Sequence, residues 1–182
     1  MKDQYYGSKL KWVNVTRPAY AARADFCIPR DCGEYFFETE VLAGGEVCSV
    51  AVGFGWFTSD VGMNGRWESG IWGYHGDDGM VRYGVHEEKY GELFHVGDII
   101  GCGYIKRKGI IYFTKNRKYL GVPFEGVRGQ LYPMVSLTNP GSKIKCRFDA
   151  PIPDKVITHS PNGETSTSAR EDGEPVEQQS KG

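Results

Sequence analysis

The 182-residue chain lacks the features that mark membrane, secreted and metal-binding proteins. No apolar run approaches the ~20 residues that a membrane helix needs. The amino terminus, MKDQYYGSKLKW, has no apolar core of a secretory signal. The five cysteines include no Cys-x-x-Cys pair, and their odd number does not suit a complete disulfide framework. These absences predict a cytoplasmic protein with no membrane partner, no metal and no other cofactor.

Charge of one sign is not in excess, because 22 basic residues face 23 acidic ones. Nucleic-acid binding would therefore need a local basic patch. The cluster that could form one is Lys106, Arg107 and Lys108. A solvated turn between two strands explains this cluster more simply, so nucleic acid is not expected as a partner.

Recognisable catalytic motifs are missing as well. The sequence has no Gly-x-Ser-x-Gly elbow, no His-Glu-x-x-His helix and no phosphate-binding Gly-x-x-x-x-Gly-Lys-Ser/Thr loop. His75 lies in the segment GYHGDDG, where it could pair with Asp77 or Asp78 as an acid–base unit. A turn explains that segment better, because Asp folds its side chain back onto the backbone and Gly79 supplies a left-handed conformation. We predict that the chain is not an enzyme.

Aromatic residues and glycines are abundant instead. All 24 aromatics (4 Trp, 11 Tyr and 9 Phe) precede position 153, and 25 residues are glycine. No segment shows a sustained 3.6-residue period, whereas apolar and polar residues alternate in many short runs. The runs predict strands at 11–15, 33–42, 47–55, 71–74, 80–83, 99–105, 110–115, 118–122, 132–137 and 143–148. This pattern is typical of an all-β fold, a two-sheet antiparallel β-sandwich.

Two glycine-containing connections are interpreted as hairpin turns. Gly44 and Gly45 separate the runs 33–42 and 47–55, and residues 106–109 separate two further runs. Within the first run, alternation places Glu38 and Glu40 on an exposed sheet face. Gly101 and Gly103 leave room for a bulky neighbour, and we expect an aromatic residue from the facing sheet there.

The composition changes near Pro153. From 153 to 182 there is no aromatic residue, and six acidic residues outnumber three basic ones. Such a segment cannot bury enough apolar surface to offset the entropy of ordering it. We therefore predict an extension at 1–10, a β-sandwich domain at 11–152 and a disordered acidic tail at 153–182.

Several motifs in a fixed order carry a family resemblance. The sequence reads WGYHGDDG, then YGELFHVGDIIGCGYI, IIYFTKN, YLGVPF and LYPMVSL, with IPRDCGEYFFETEV upstream. In order and spacing this tract resembles the SPRY domain, and most closely its RanBPM-like branch. One departure stands out: the branch has Gly after Asn116, where this chain has Arg117. Either the turn there is longer than two residues, or Arg117 is tolerated at positive φ because it is useful.

The resemblance implies a jelly-roll sandwich that binds a short peptide of a partner protein through loops at one end. Arg and aromatic side chains are the usual anchors of protein contacts. Three segments are candidates, at 16–20, 64–68 and 138–141, and their predicted contact residues are Arg17, Pro18, Tyr20, Arg66, Trp67, Thr138, Asn139 and Pro140. The family further implies a monomeric adaptor or substrate receptor in a ubiquitin-ligase or trafficking assembly.

Two other functions remain open at this point. A carbohydrate-binding sandwich shares the β-rich, aromatic composition and would need aromatic platforms on a concave face. An uncharacterised hydrolase would require turnover that depends on His75 or Asp78.

Overall fold

The computed structural model describes residues 10–14, 20–44, 48–56, 70–154, 158–159 and 165–166. The chain divides into two units, Met1–Ile152 and Pro153–Gly182. In the second unit, β13 (Thr158–His159) pairs with β14 (Thr165–Ser166). Most of the tail predicted to be disordered, and nearly all of the extension predicted at 1–10, lie outside the described residues.

The first unit contains two six-stranded antiparallel sheets, which confirms the predicted all-β sandwich. The first sheet has the order β1 (Leu10–Asn14), β12 (Lys143–Arg147), β3 (Glu34–Ala43), β8 (Ile99–Ile105), β9 (Ile110–Lys115), β10 (Lys118–Phe124). The second sheet has the order β2 (Tyr20–Arg23), β11 (Leu131–Leu137), β4 (Val50–Trp56), β5 (Ile71–His75), β6 (Met80–Tyr83), β7 (His86–Lys89).

The core lies between the two sheets and is rich in aromatic rings. Phe37 of the first sheet meets Phe54 of the second edge to face, with ring centroids 5.4 Å apart. Tyr74 of the second sheet contacts Phe113 of the first at 5.6 Å. All four side chains are almost completely buried, and each such burial stabilises the fold by about 1.5–3 kcal/mol. The alternation in the sequence therefore identified strands whose inner faces form one core.

The two predicted hairpins have different outcomes. Residues 106–109 join β8 to β9, which pair directly, so this hairpin is confirmed. The hairpin predicted at Gly44 and Gly45 is wrong, because β3 belongs to the first sheet and β4 to the second. The connection between them crosses from one sheet to the other. Alternation along a run identifies a strand but does not specify which strand it pairs with.

The glycines of β8 do receive aromatic neighbours, but from their own sheet. A Cβ atom on Gly101 would lie 2.4 Å from the Phe36 ring, and one on Gly103 would lie 2.1 Å from the Tyr112 ring. These two rings stack 6.1 Å apart, and they belong to β3 and β9, the direct neighbours of β8. The expectation of an aromatic from the facing sheet is therefore wrong.

The turn between β9 and β10 is the short type. Lys115 pairs with Lys118, and the two residues between them, Asn116 and Arg117, have φ angles of 51° and 65°. Positive φ at both central residues defines a type I′ turn. The Arg117 guanidinium lies 3.3 Å from Oε1 of Glu38. Glu38 was expected on an exposed face, yet it is only 6% exposed.

Candidate functional site

The strand register defines two ends of the sandwich. We call one the Thr138 end; the strands that flank the connections 15–19, 44–49, 76–79, 90–98, 116–117 and 138–142 begin or end there. We call the other the Lys106 end; the strands that flank the connections 24–33, 57–69, 84–85, 106–109 and 125–130 begin or end there. Both assignments follow from the pairing of the residues that flank each connection.

Two of the three predicted contact segments leave the sheets side by side at the Thr138 end. Asn14 pairs with Lys143, and Tyr20 pairs with Leu137. The residues that flank 15–19 therefore lie beside the residues that flank 138–142, one pair in each sheet. Tyr20 itself is the first residue of β2, a strand that the sequence did not reveal. Arg17 and Pro18 lie outside the described residues.

Backbone and side-chain hydrogen bonds fix the 138–142 connection. The Thr138 backbone N–H and hydroxyl both donate to the carbonyl oxygen of Ser49, at 3.0 and 2.9 Å. The Asn139 amide donates to the carbonyl oxygen of Gly44 at 3.4 Å. Pro140 is exposed and Gly141 adopts a φ of 82°. Thr138 and Asn139 thus hold the loop against its neighbour, and of the three predicted contact residues here only Pro140 is fully open to a partner.

The third predicted segment begins and ends at the opposite end. Trp56 and Gly70 flank 57–69, and Trp56 pairs with Leu131, at the far end of β11 from Leu137. Arg66 and Trp67 themselves lie outside the described residues. The strands that flank this segment therefore end opposite to those that flank the other two segments, which the sequence did not reveal because the register of β4 and β5 was not apparent from it.

A charged network anchors another connection of the Thr138 end. The Lys115 ammonium lies 3.3 Å from Asp98 Oδ2 and 3.1 Å from Glu92 Oε2. The Asn116 amide donates to Asp98 Oδ1 at 2.8 Å. Burial acts to raise the pKa of Asp98, but hydrogen bonds from Asn116, the His95 backbone and Lys115 outweigh it, so this pKa is lowered. These contacts hold 90–98 against the turn at 116–117.

The sequence comparison identifies the fold. The profile of the SPRY domain matches residues 34–151, well over half of the chain. The chain belongs to the SPRY domain family. SPRY domains are protein-interaction modules.

Relatives of this SPRY domain include Ran-binding protein 9 of Danio rerio and of Homo sapiens, each 35% identical over 136 residues, or 72% of this chain. The dual specificity protein kinase splA of Dictyostelium discoideum is 41% identical over 108 residues, or 56% of this chain. The match covers 22%, 18% and 4% of these proteins, respectively. The predicted likeness to the RanBPM-like branch is thereby confirmed, although this chain spans about a fifth or less of these relatives.

Solved structures agree on the fold. A human SPRY domain superposes with a TM-score of 0.65 at 22% identity, covering 81% of this chain and 96% of that one. The SPRY domain of human HERC1 also gives a TM-score of 0.65, at 21% identity, covering 82% of this chain and all of that one.

The surroundings of His75 and Asp78 in the GYHGDDG segment lower the pKa of both side chains. Burial, followed by the nearby positive charge of Arg82, lowers the pKa of His75 to about 4. Asp78 is held in an ion pair by Arg82 and accepts a hydrogen bond from the Met80 backbone at 3.0 Å. Burial acts to raise the pKa of Asp78, but these contacts lower it. His75 is thus neutral near pH 7, and Asp78 stabilises the turn through its contacts with Met80 and Arg82.

No group of three or more His, Cys, Asp or Glu residues is placed to hold a metal ion within the described parts of the chain. The same parts contain no helix long and apolar enough to cross a membrane.

Proposed function

We propose that this SPRY domain is a non-catalytic module that binds a short peptide segment of a partner protein through the Thr138 end. The observation that carries the proposal is the pairing of Asn14 with Lys143 and of Tyr20 with Leu137. Because of it, the residues that flank 15–19 lie beside those that flank 138–142, and we infer that the two connections form one rim. A peptide lying across both would contact residues from 15–19 and 138–142 at once.

The hydrogen bonds of Thr138 and Asn139 favour binding because they order the rim in advance. A loop that is already fixed loses little conformational freedom when a partner docks, so more of the contact energy appears as affinity. We assign direct contact to Arg17, Pro18, Tyr20 and Pro140, and a positioning role to Thr138 and Asn139. Arg66 and Trp67 stay predicted contacts but are not assigned to this rim, because the strands that flank 57–69 end at the Lys106 end.

The lowered pKa of His75 supports the proposal that the domain is non-catalytic. A general base for neutral pH should have a pKa near the working pH, whereas the pKa of this buried imidazole is about 4. For the protein that contains the domain, we propose a cytoplasmic, monomeric adaptor or substrate receptor in a ubiquitin-ligase or trafficking assembly. This part rests on the family resemblance.

A peptide library displayed on phage tests the binding proposal. Peptides selected on the wild-type chain are titrated against Arg17→Ala and a matched control, Arg147→Ala, which removes an exposed cation at the end of β12 that is opposite to Lys143. We expect Arg17→Ala to weaken binding about tenfold, the usual effect of losing an interface anchor, and the control to bind normally. Equal affinity of Arg17→Ala and Arg147→Ala would contradict the assignment of the Thr138 end.

A further inference from the structure

The Lys106 end holds a concave pocket of about 410 Å³ that the proposed function does not use. Its floor is apolar: Ile28 and Leu131 are 4% and 1% exposed, and Tyr104 is 2% exposed. The Tyr104 hydroxyl donates to the carbonyl oxygen of Val127 at 3.1 Å, so its polar atom is already satisfied. The floor is therefore suited to an apolar side chain.

The rim of this pocket is cationic. Arg30 and Lys106 line it, while Arg107 and Lys108 follow in the β8–β9 turn and Arg128 precedes the lining residue Gly129. None of these five cations forms an ion pair with a described residue, although ion pairs occur elsewhere in the fold, such as Arg82 with Asp78. No carboxylate lines the pocket. A cationic rim with no carboxylate in the pocket lining is complementary to an anionic ligand.

The walls of the pocket are fixed before any ligand arrives. The Ile28 backbone N–H donates to the carbonyl oxygen of Leu131 at 2.8 Å, which joins the segment 24–33 to the start of β11. The Lys106 ammonium donates to the carbonyl oxygens of Pro29 and Arg30. Gly129 has a φ of 106°, and a Cβ there would lie 3.0 Å from Trp56 Nε1. The pocket is thus preorganised, which limits the entropy lost on binding.

We propose that this pocket is a second binding site, which accepts an acidic peptide segment in which Asp or Glu residues flank one bulky apolar residue. The apolar side chain fills the floor, and the flanking carboxylates pair with Arg30 and Lys106. Charge-assisted contacts of this kind are the strongest hydrogen bonds at interfaces. A peptide fits better than nucleic acid because the apolar floor offers nothing to phosphates, and the net charge of −1 creates no field for a polyanion.

The probe is a fluorescein-labelled peptide, acetyl-Gly-Glu-Glu-Phe-Glu-Glu-Gly-amide, titrated against the whole chain by fluorescence anisotropy. One control peptide carries Gln for every Glu, and a second carries Ala for Phe. We expect the acidic probe to bind at least about tenfold more tightly than either control peptide. Binding should weaken with added salt, since salt screens exposed charges.

Charge reversal localises the site. Arg30→Glu should lower the affinity for the probe about tenfold or more, whereas Lys118→Glu should change this affinity less than twofold. Both side chains are exposed cations that form no ion pair with a described residue. Lys118 lies at the Thr138 end, and the two substitutions change the net charge equally. In nuclear magnetic resonance spectra, the probe should shift the amide signals of Gly129 and Gln130.

Three results would overturn the proposal. Equal weakening by Arg30→Glu and Lys118→Glu would mean that only net charge matters. Equal binding of the Phe and Ala peptides would remove the role of the floor. If a ten-nucleotide oligouridine binds more tightly than the peptide, and its binding is lost in Arg30→Glu, the ligand is a nucleic acid.

Discussion

Replacing Arg117 with glycine has two opposite effects on the free energy of unfolding at the β9–β10 turn. A side chain at the φ of 65° observed for Arg117 costs ~1 kcal/mol, which glycine recovers. The same change removes the guanidinium 3.3 Å from Glu38, whose side chain is 8% exposed. A buried polar group left without its partner costs about 1–3 kcal/mol. The second effect is larger, so we expect the free energy of unfolding to fall by about 1 kcal/mol.

Urea unfolding followed by tryptophan fluorescence measures this change in a double-mutant cycle with Glu38→Gln. In the Glu38→Gln background no buried carboxylate is left without its cation. Arg117→Gly should therefore become neutral or stabilising by up to about 1 kcal/mol. The melting temperature should move by about 2–4 °C per kcal/mol. If Arg117→Gly stabilises the chain equally in both backgrounds, the ion pair contributes nothing and the reasoning fails.

Three further changes test the fold and its electrostatics. Gly103→Ala places a Cβ 2.1 Å from the Tyr112 ring and should destabilise the fold by about 1–3 kcal/mol, whereas Gly33→Ala, with nothing within 4 Å, should change stability by less than ~0.5 kcal/mol; equal melting temperatures would contradict the close contact. The pKa of His75 falls from 6.5 to about 4 on folding, so the unfolded chain binds the extra proton, and stability should drop by roughly 3 kcal/mol as the pH falls from 6.5 to 4. His75→Gln should remove that pH dependence from urea titrations, and an unchanged slope would count against it. Lys115→Gln should raise the pKa of Asp98 toward its ordinary value in a carbon-detected titration. No rise would mean that the hydrogen bonds from Asn116 and the His95 backbone are enough to lower this pKa.

The sequence predicted most strands because burial leaves a pattern. The bounds predicted for β8 and β9 agree residue for residue with Ile99–Ile105 and Ile110–Lys115. Both runs are strongly apolar and border a short turn. β7 (His86–Lys89) was missed because it is an edge strand with every residue exposed, so no apolar alternation marks it. β2 was missed because its sequence, YAAR, shows no alternation of apolar and polar residues.

Sheet assignment and register were beyond the reach of local patterns. The run around Phe37 and the run around Phe54 look like hairpin partners, yet they face each other across the core. For the same reason the 64–68 segment was grouped with loops that leave the opposite end. The pocket at the Lys106 end could not be predicted, since its lining comes from three separate stretches. The one sequence signal was the cluster from Lys106 to Lys108, which was interpreted as a solvated turn.

Photo-crosslinking tests the central claim, that the Thr138 end meets the partner peptide. The photoreactive residue p-benzoylphenylalanine is placed at position 140 or, as a control, at the exposed position 86 of β7, and each chain is irradiated with a peptide selected on the wild type. We predict a crosslink to the peptide from position 140 and none from position 86. A crosslink from position 86 alone, or equal crosslinks from both positions, would contradict it.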